Sequence, residues 1–187
     1  MGACGNAFGF MGRLFVLVAV ILGIILQAFT INECEFMKFS SGTLGLFEWS
    51  ANGEACQPYG SWASESSYLK ASQVSIYISI VSAGIAALVV LLQALFLNGS
   101  FCVGLIRGLA FFCAKIFAGL AFLITASEAC NSGHGAEWTN NMTGFDCSIG
   151  RGAKMNIAAL VLYFIASVLS CITAEARPLT AAKEEGL

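Results

Sequence analysis

The stretch LFVLVAVILGIILQAFTI, residues 14–31, carries no charged side chain and one amide, Gln27. At 1.5 Å per residue a helix of this length covers ~27 Å, close to the ~30 Å hydrocarbon thickness of a bilayer. Three further apolar runs lie at 74–97, 109–126 and 157–174. With 58% hydrophobic and 11% charged residues in a chain of 187, they predict an all-α integral membrane protein, an antiparallel four-helix transmembrane bundle in one domain over 1–187. The spans are expected at about 12–32, 73–97, 104–127 and 154–174. Outer loops then fall at 33–72 and 128–153, and a short polar tail at 175–187.

The first run follows Arg13 as a secretory signal would, but it is longer than a signal core. No small-x-small cleavage site follows near Gln27, Ala28 and Phe29, so it reads as a retained helix. The N-terminal MGACGN approaches an acylation pattern, with Asn6 where Ser or Thr is expected. Cys4 and Cys102 suit either reversible palmitoylation or unmodified thiols at a membrane edge.

The charge rule does not choose an orientation. Arg13, Arg107, Lys115, Arg177 and Lys183 lie toward one side, and Lys38, Lys70, Arg151 and Lys154 toward the other. Cysteines are more informative. The first outer loop holds Cys34 and Cys56, the second Cys130 and Cys147, and four spans put both loops on one side. One disulfide per loop is the economical pairing, although Cys34 or Cys56 bonding across to Cys130 or Cys147 is equally consistent with the sequence. Paired thiols imply an oxidising compartment, hence cytosolic termini and, as the expected site, the plasma membrane. Eight of the eleven acidic residues, Glu33, Glu35, Glu48, Glu54, Glu65, Glu128, Glu137 and Asp146, fall in or beside those loops. In this topology the sequon at Asn141 is open to glycosylation and the one at Asn98 is not. No basic run suggests a nucleic-acid partner.

Helices in lipid associate by close approach and interhelical hydrogen bonds, and every span offers small residues at four-residue spacing, for example Ser75, Ser79, Ala83 and Ala87. Internal packing is the expectation for these stripes, leading to a left-handed bundle. Among the polar side chains in or beside the spans, Lys115, Gln93 and Glu175 stand out. Lys115 is expected to snorkel toward the interface or to pair with Gln93 or Glu175.

The first loop alternates turn residues, Gly42, Gly45, Asn52, Gly53 and Pro58, with Leu44, Leu46, Phe47 and Trp49, which suits short β-strands in a small disulfide-stabilised extracellular cap. Closing Cys34 to Cys56 contributes about 3 kcal/mol through loop entropy. Phe47, Trp49, Tyr59 and Trp62 are the candidate interaction residues, either anchored at headgroup level or forming an adhesive surface.

Four spans in a short chain, a longer first loop and Gly45-Leu46-Phe47 followed by Cys56 resemble the claudin and peripheral-myelin-protein class, whose signature is Gly-Leu-Trp and then cysteine. Lys70 also lies where claudins tend to carry a basic residue. The chain departs from that pattern at Phe47, at Cys34, which precedes the motif, and in the second-loop cysteine pair. The resemblance implies a structural, adhesive or channel-accessory protein acting through loop one, with membrane lipids and other membrane proteins, self or a channel subunit, as partners. The neighbouring MARVEL class can carry a disulfide in each outer loop and would imply membrane organisation or vesicle traffic. An enzyme reading, a four-span quinone-linked thiol oxidase, lacks the Cys-x-x-Cys pair that such exchange requires. His134 has no evident metal partners and reads as a solvated loop residue. No catalytic residue, metal site or cofactor is expected. The terminal Glu185-Gly186-Leu187 could add a strand to a PDZ domain.

Overall fold

The computed structural model describes residues 2–39, 42–51, 54–59, 67–95, 101–126 and 147–172. Four long helices run antiparallel: α1 (Gly2–Asn32), α2 (Ser67–Leu95), α3 (Phe101–Leu120), prolonged by a 3-10 segment Ala121–Ala126, and α4 (Arg151–Ile172). Each contains a stretch long and apolar enough to cross a membrane, Met11–Asn32, Ser67–Leu95, Cys102–Thr125 and Arg151–Ile172. This is the architecture of a multi-pass membrane protein. The helices begin several residues ahead of the hydropathic runs: α2 opens at Ser67 and α4 at Arg151, where Leu69 and Ala153 are buried against the first loop and Gly152 N–H bonds Glu35 O.

Helix α1 lies chiefly against α4, and α2 against α3. Their shared core is small: Val16, Val20, Ala83, Ala86, Ala110, Ala114, Ala159 and Ala166 pack around Phe111 and Tyr163. Large side chains point outward instead, among them Phe15, Val81, Leu105, Phe112 and Phe164. A water-soluble bundle would reverse this arrangement. Lipid removes the cost of exposed leucine and phenylalanine, and small residues let the backbones approach. At Gly23 the approach is tightest, since a Cβ there would sit 2.5 Å from Tyr163 Cε1.

Over one end of the bundle sits a fully antiparallel sheet of five short strands, β1 (Met37–Phe39), β2 (Gly42–Leu44), β3 (Glu48–Ala51), β4 (Gln57–Pro58) and β5 (Ser148–Ile149), in the order β4-β3-β2-β1-β5. The strands expected in loop one are present. The second loop supplies a further one: β5 pairs with β1 through Met37 opposite Ile149 and Lys38 opposite Ser148. The two outer loops therefore form a single cap. Helix α1 begins and α4 ends at the other end, here called the tail end.

Candidate functional site

The cap is built downward onto the helices. Along β1, Met37 is buried and Lys38 exposed, the alternation of a half-buried strand. Phe36, Met37, Leu44 and Leu46 form a core with Leu69 and Ile76 of α2, Ile124 at the end of α3 and Ala153 of α4. Phe36 is fully buried and stacks at a tilt on Phe122, with ring centroids 5.3 Å apart. Main-chain bonds tie the same segment to the start of α4: Gly150 N–H donates to Phe36 O at 2.9 Å and Gly152 N–H to Glu35 O at 2.7 Å.

Gly45-Leu46-Phe47 forms the turn between β2 and β3. Gly45 N–H donates to Glu48 O at 2.8 Å, and a Cβ at Gly45 would fall 2.5 Å from Glu33 O and 2.8 Å from Glu48 O, so only glycine fits. Leu46 is fully buried, and its carbonyl accepts from Gln73 Nε2 at 2.7 Å, fastening the turn to α2. Phe47 lies half-buried on Tyr77, 5.5 Å between centroids. Each residue of the motif thus has a structural task at the junction of sheet and bundle.

The Cys34–Cys56 disulfide joins the residue just past α1 to the approach of β4, with Cα atoms 5.9 Å apart. Of the pairings the sequence leaves open, this is the one formed within loop one. Cys147 is disulfide-bonded as well, to a partner outside the described residues. Glu48 lies beside Cys34 and Cys56, but sulfurs bonded to each other are not thiolate ligands, so the trio is no metal site. Cys102 and Cys171 are free and exposed, and Cys113 is free and half-buried.

Three of the four candidate interaction residues are described. Phe47, Trp49 and Tyr59 are half-buried and packed against the cap core. Tyr59 Oη donates to Gly45 O at 2.5 Å, and burial pushes its phenol well above the ordinary tyrosine range. Elsewhere in the cap and at the start of α2, Lys38, Gln57, Pro58, Tyr68, Ser148 and Ile149 are exposed. Trp62, Cys130, His134, Asn141, Glu175 and the terminal Glu185-Gly186-Leu187 lie outside the described residues.

A second polar centre sits inside the bundle, and sequence reading did not single it out. Gln27 of α1 is fully buried. Its Nε2 donates to Ser79 Oγ of α2 at 2.9 Å and to Asn156 Oδ1 of α4 at 3.1 Å, while its Oε1 accepts from Tyr163 Oη at 2.8 Å. Ser79 Oγ donates to Ala114 O of α3 at 2.8 Å, and Asn156 Nδ2 to Ala118 O at 2.8 Å. One glutamine therefore links all four helices, and every amide proton of Gln27 has an acceptor. Such a closed network supplies specificity of packing and leaves no open group for a substrate. Its sequence signal was the lone amide in residues 14–31.

Lys115 does not pair with Gln93. Half-buried on α3, it donates to Ser167 Oγ of α4 at 3.2 Å and lies 5.7 Å from the Phe164 ring centroid. The antiparallel packing turns Gln93 toward two arginines instead: its Oε1 accepts from Arg107 NH1 and its carbonyl from Arg13 NH1, each at 2.6 Å. Neither a protein-family model nor a curated protein matches this sequence.

Proposed function

We propose that the protein crosses a bilayer four times, with the cap in the oxidising compartment and both termini cytosolic, and serves at the plasma membrane as a structural, adhesive or channel-accessory component rather than an enzyme. The observation that carries this reading is the junction of both outer loops in one sheet, stapled by Cys34–Cys56 and seated on three of the helices. A stapled platform of this kind presents a fixed outer surface to a neighbouring membrane protein, or to a copy on an apposed membrane, with little ordering entropy lost on contact. The claudin-like class suggested by Gly45-Leu46-Phe47 accords with this use of loop one. A MARVEL-like role in membrane organisation or vesicle traffic is the alternative, favoured by the disulfide at Cys147 in the second loop.

The test is a mild-detergent pull-down of the full chain with mass spectrometry, alongside a mixed-cell aggregation assay. A channel subunit or aggregation of expressing cells supports the proposal, and vesicle proteins support the MARVEL reading. Glycan on Asn98 but not on Asn141 in a glycosylating host inverts the topology and defeats both.

A further inference from the structure

Exposed side chains on three helices share one depth. Phe29 of α1 lies about 27 Å along its helix from Met11, Tyr77 of α2 the same distance from Leu95, and Lys154 of α4 the same distance from Ile172. Met11, Leu95 and Ile172 are the tail-side ends of the three apolar stretches. Phe29 is 58% and Tyr77 50% exposed, and Lys154 is exposed as well. Between this level and the tail end the large exposed side chains of these helices are apolar, among them Ile25, Val81 and Phe164. Beyond it Asn32, Lys70 and Arg151 are exposed.

The ~30 Å hydrocarbon layer of a bilayer ends near this depth. Aromatic rings and lysine ammonium groups gather at that boundary, the ring against acyl chains and the charge among phosphates. One ring of the cap reaches it. The turn between β2 and β3 is fastened to α2 by the bond from Gln73 Nε2 to Leu46 O, one helical turn above Tyr77. The next residue, Phe47, lies on Tyr77 with ring centroids 5.5 Å apart. We propose that Phe47 and Tyr77 together anchor the cap in the headgroup boundary of the cap-side leaflet, so that the partner of this edge of loop one is the phospholipid surface. Phe47 then serves as a membrane anchor rather than an adhesive contact, and the rest of the sheet is left to meet proteins. This rests on the reading that the helices cross a bilayer, which incorporation of the protein into nanodiscs checks separately.

Benzoylphenylalanine is introduced in place of Phe47, of Tyr77 or, on the outward side of the sheet, of Lys38, in the full chain held in phosphatidylcholine nanodiscs. Photoadducts are identified by mass spectrometry. The probes replacing Phe47 and Tyr77 are expected to capture lipid, and the one replacing Lys38 none above background. Should the bulky ketone in place of Phe47 prevent folding, Phe47→Trp reads the same depth. Its added fluorescence is expected to be largely lost when the lipid is brominated high on its acyl chains. Capture of a peptide of this chain or of a second copy instead of lipid by the probe replacing Phe47 overturns the proposal. So does equal lipid capture from the Lys38 position, or fluorescence of Phe47→Trp that bromine leaves unchanged. Failure to enter nanodiscs at all overturns the membrane reading instead.

Discussion

The cap and the bundle interior solve one shortage by different means. In neither region can the hydrophobic effect supply the usual share of stability. The cap is too small to bury a large core, and its strands are two to four residues long. It is completed by a covalent staple, by main-chain bonds to the start of α4 and by aromatic rings laid on α2. The bundle has apolar side chains in abundance, but in lipid they gain nothing by facing inward. There the helices are matched by alanine and glycine contacts and by the hub at Gln27. The cap is therefore expected to depend on a crosslink and the bundle on hydrogen bonds and shape.

The largest expected effect tests that division directly. Replacing Cys34 and Cys56 together by serine should destabilise the cap by about 3 kcal/mol, seen as rapid proteolysis in loop one while helical circular dichroism stays unchanged. Loss of helicity as well would merge the two regions into one cooperative unit. Next is Gln27→Leu, which leaves the Tyr163 hydroxyl without its acceptor and Asn156 Oδ1 without its donor. A loss of roughly 2 kcal/mol is expected, measured by denaturant titration in micelles, with the cap's protease resistance intact. Gly23→Ala should cost about 1–2 kcal/mol, since the added methyl forces Tyr163 to move. In a double-mutant cycle, Gly23→Ala and Gln27→Leu should be non-additive, because both act on Tyr163.

The smallest effect sharpens the picture of the cap. Tyr59→Phe removes the bond to Gly45 O and should cost about 1 kcal/mol. Burial of the same phenol gives the cap an alkaline limit. Burial raises the Tyr59 pKa above its unfolded value of ~10, so the stabilisation is fully present below pH 10. At higher pH the unfolded chain releases a proton that the folded cap retains, and stability declines. Wild type should show protease sensitivity of loop one rising as pH climbs past ~10, and the phenylalanine variant a shallower dependence.

Much of this was legible from residue order because the signals are local. A charge-free run long enough to cross a bilayer specifies a helix whatever surrounds it, so the four helices and their antiparallel course follow from hydropathy and short connections. The turn residues and alternating apolar positions of 42–51 marked strands in the same way. Where the chain was misread or passed over, the deciding partner was far away. Gln27 meets Asn156 across 129 positions and Tyr163 across 136, and nothing near any of the three announces the others. Lys115 and Gln93 were matched by depth alone, but helix rotation, set by which small residues touch, turned them to Ser167 and to Arg107.

Hydropathy by itself determined that the chain holds four helices of bilayer length, while cysteine spacing left open whether Cys34 bonds Cys56 or a cysteine of the second loop, which the fold decided in favour of Cys56. Tertiary structure alone decided that a two-residue strand from the second loop completes the sheet, that Gly45 is needed because main chain from two directions closes on it, and that one buried amide ties the helices together. The physical reason is range: desolvation of a continuous apolar run is decided residue by residue, whereas a hydrogen bond or a close contact exists only once both partners have been carried to the same place.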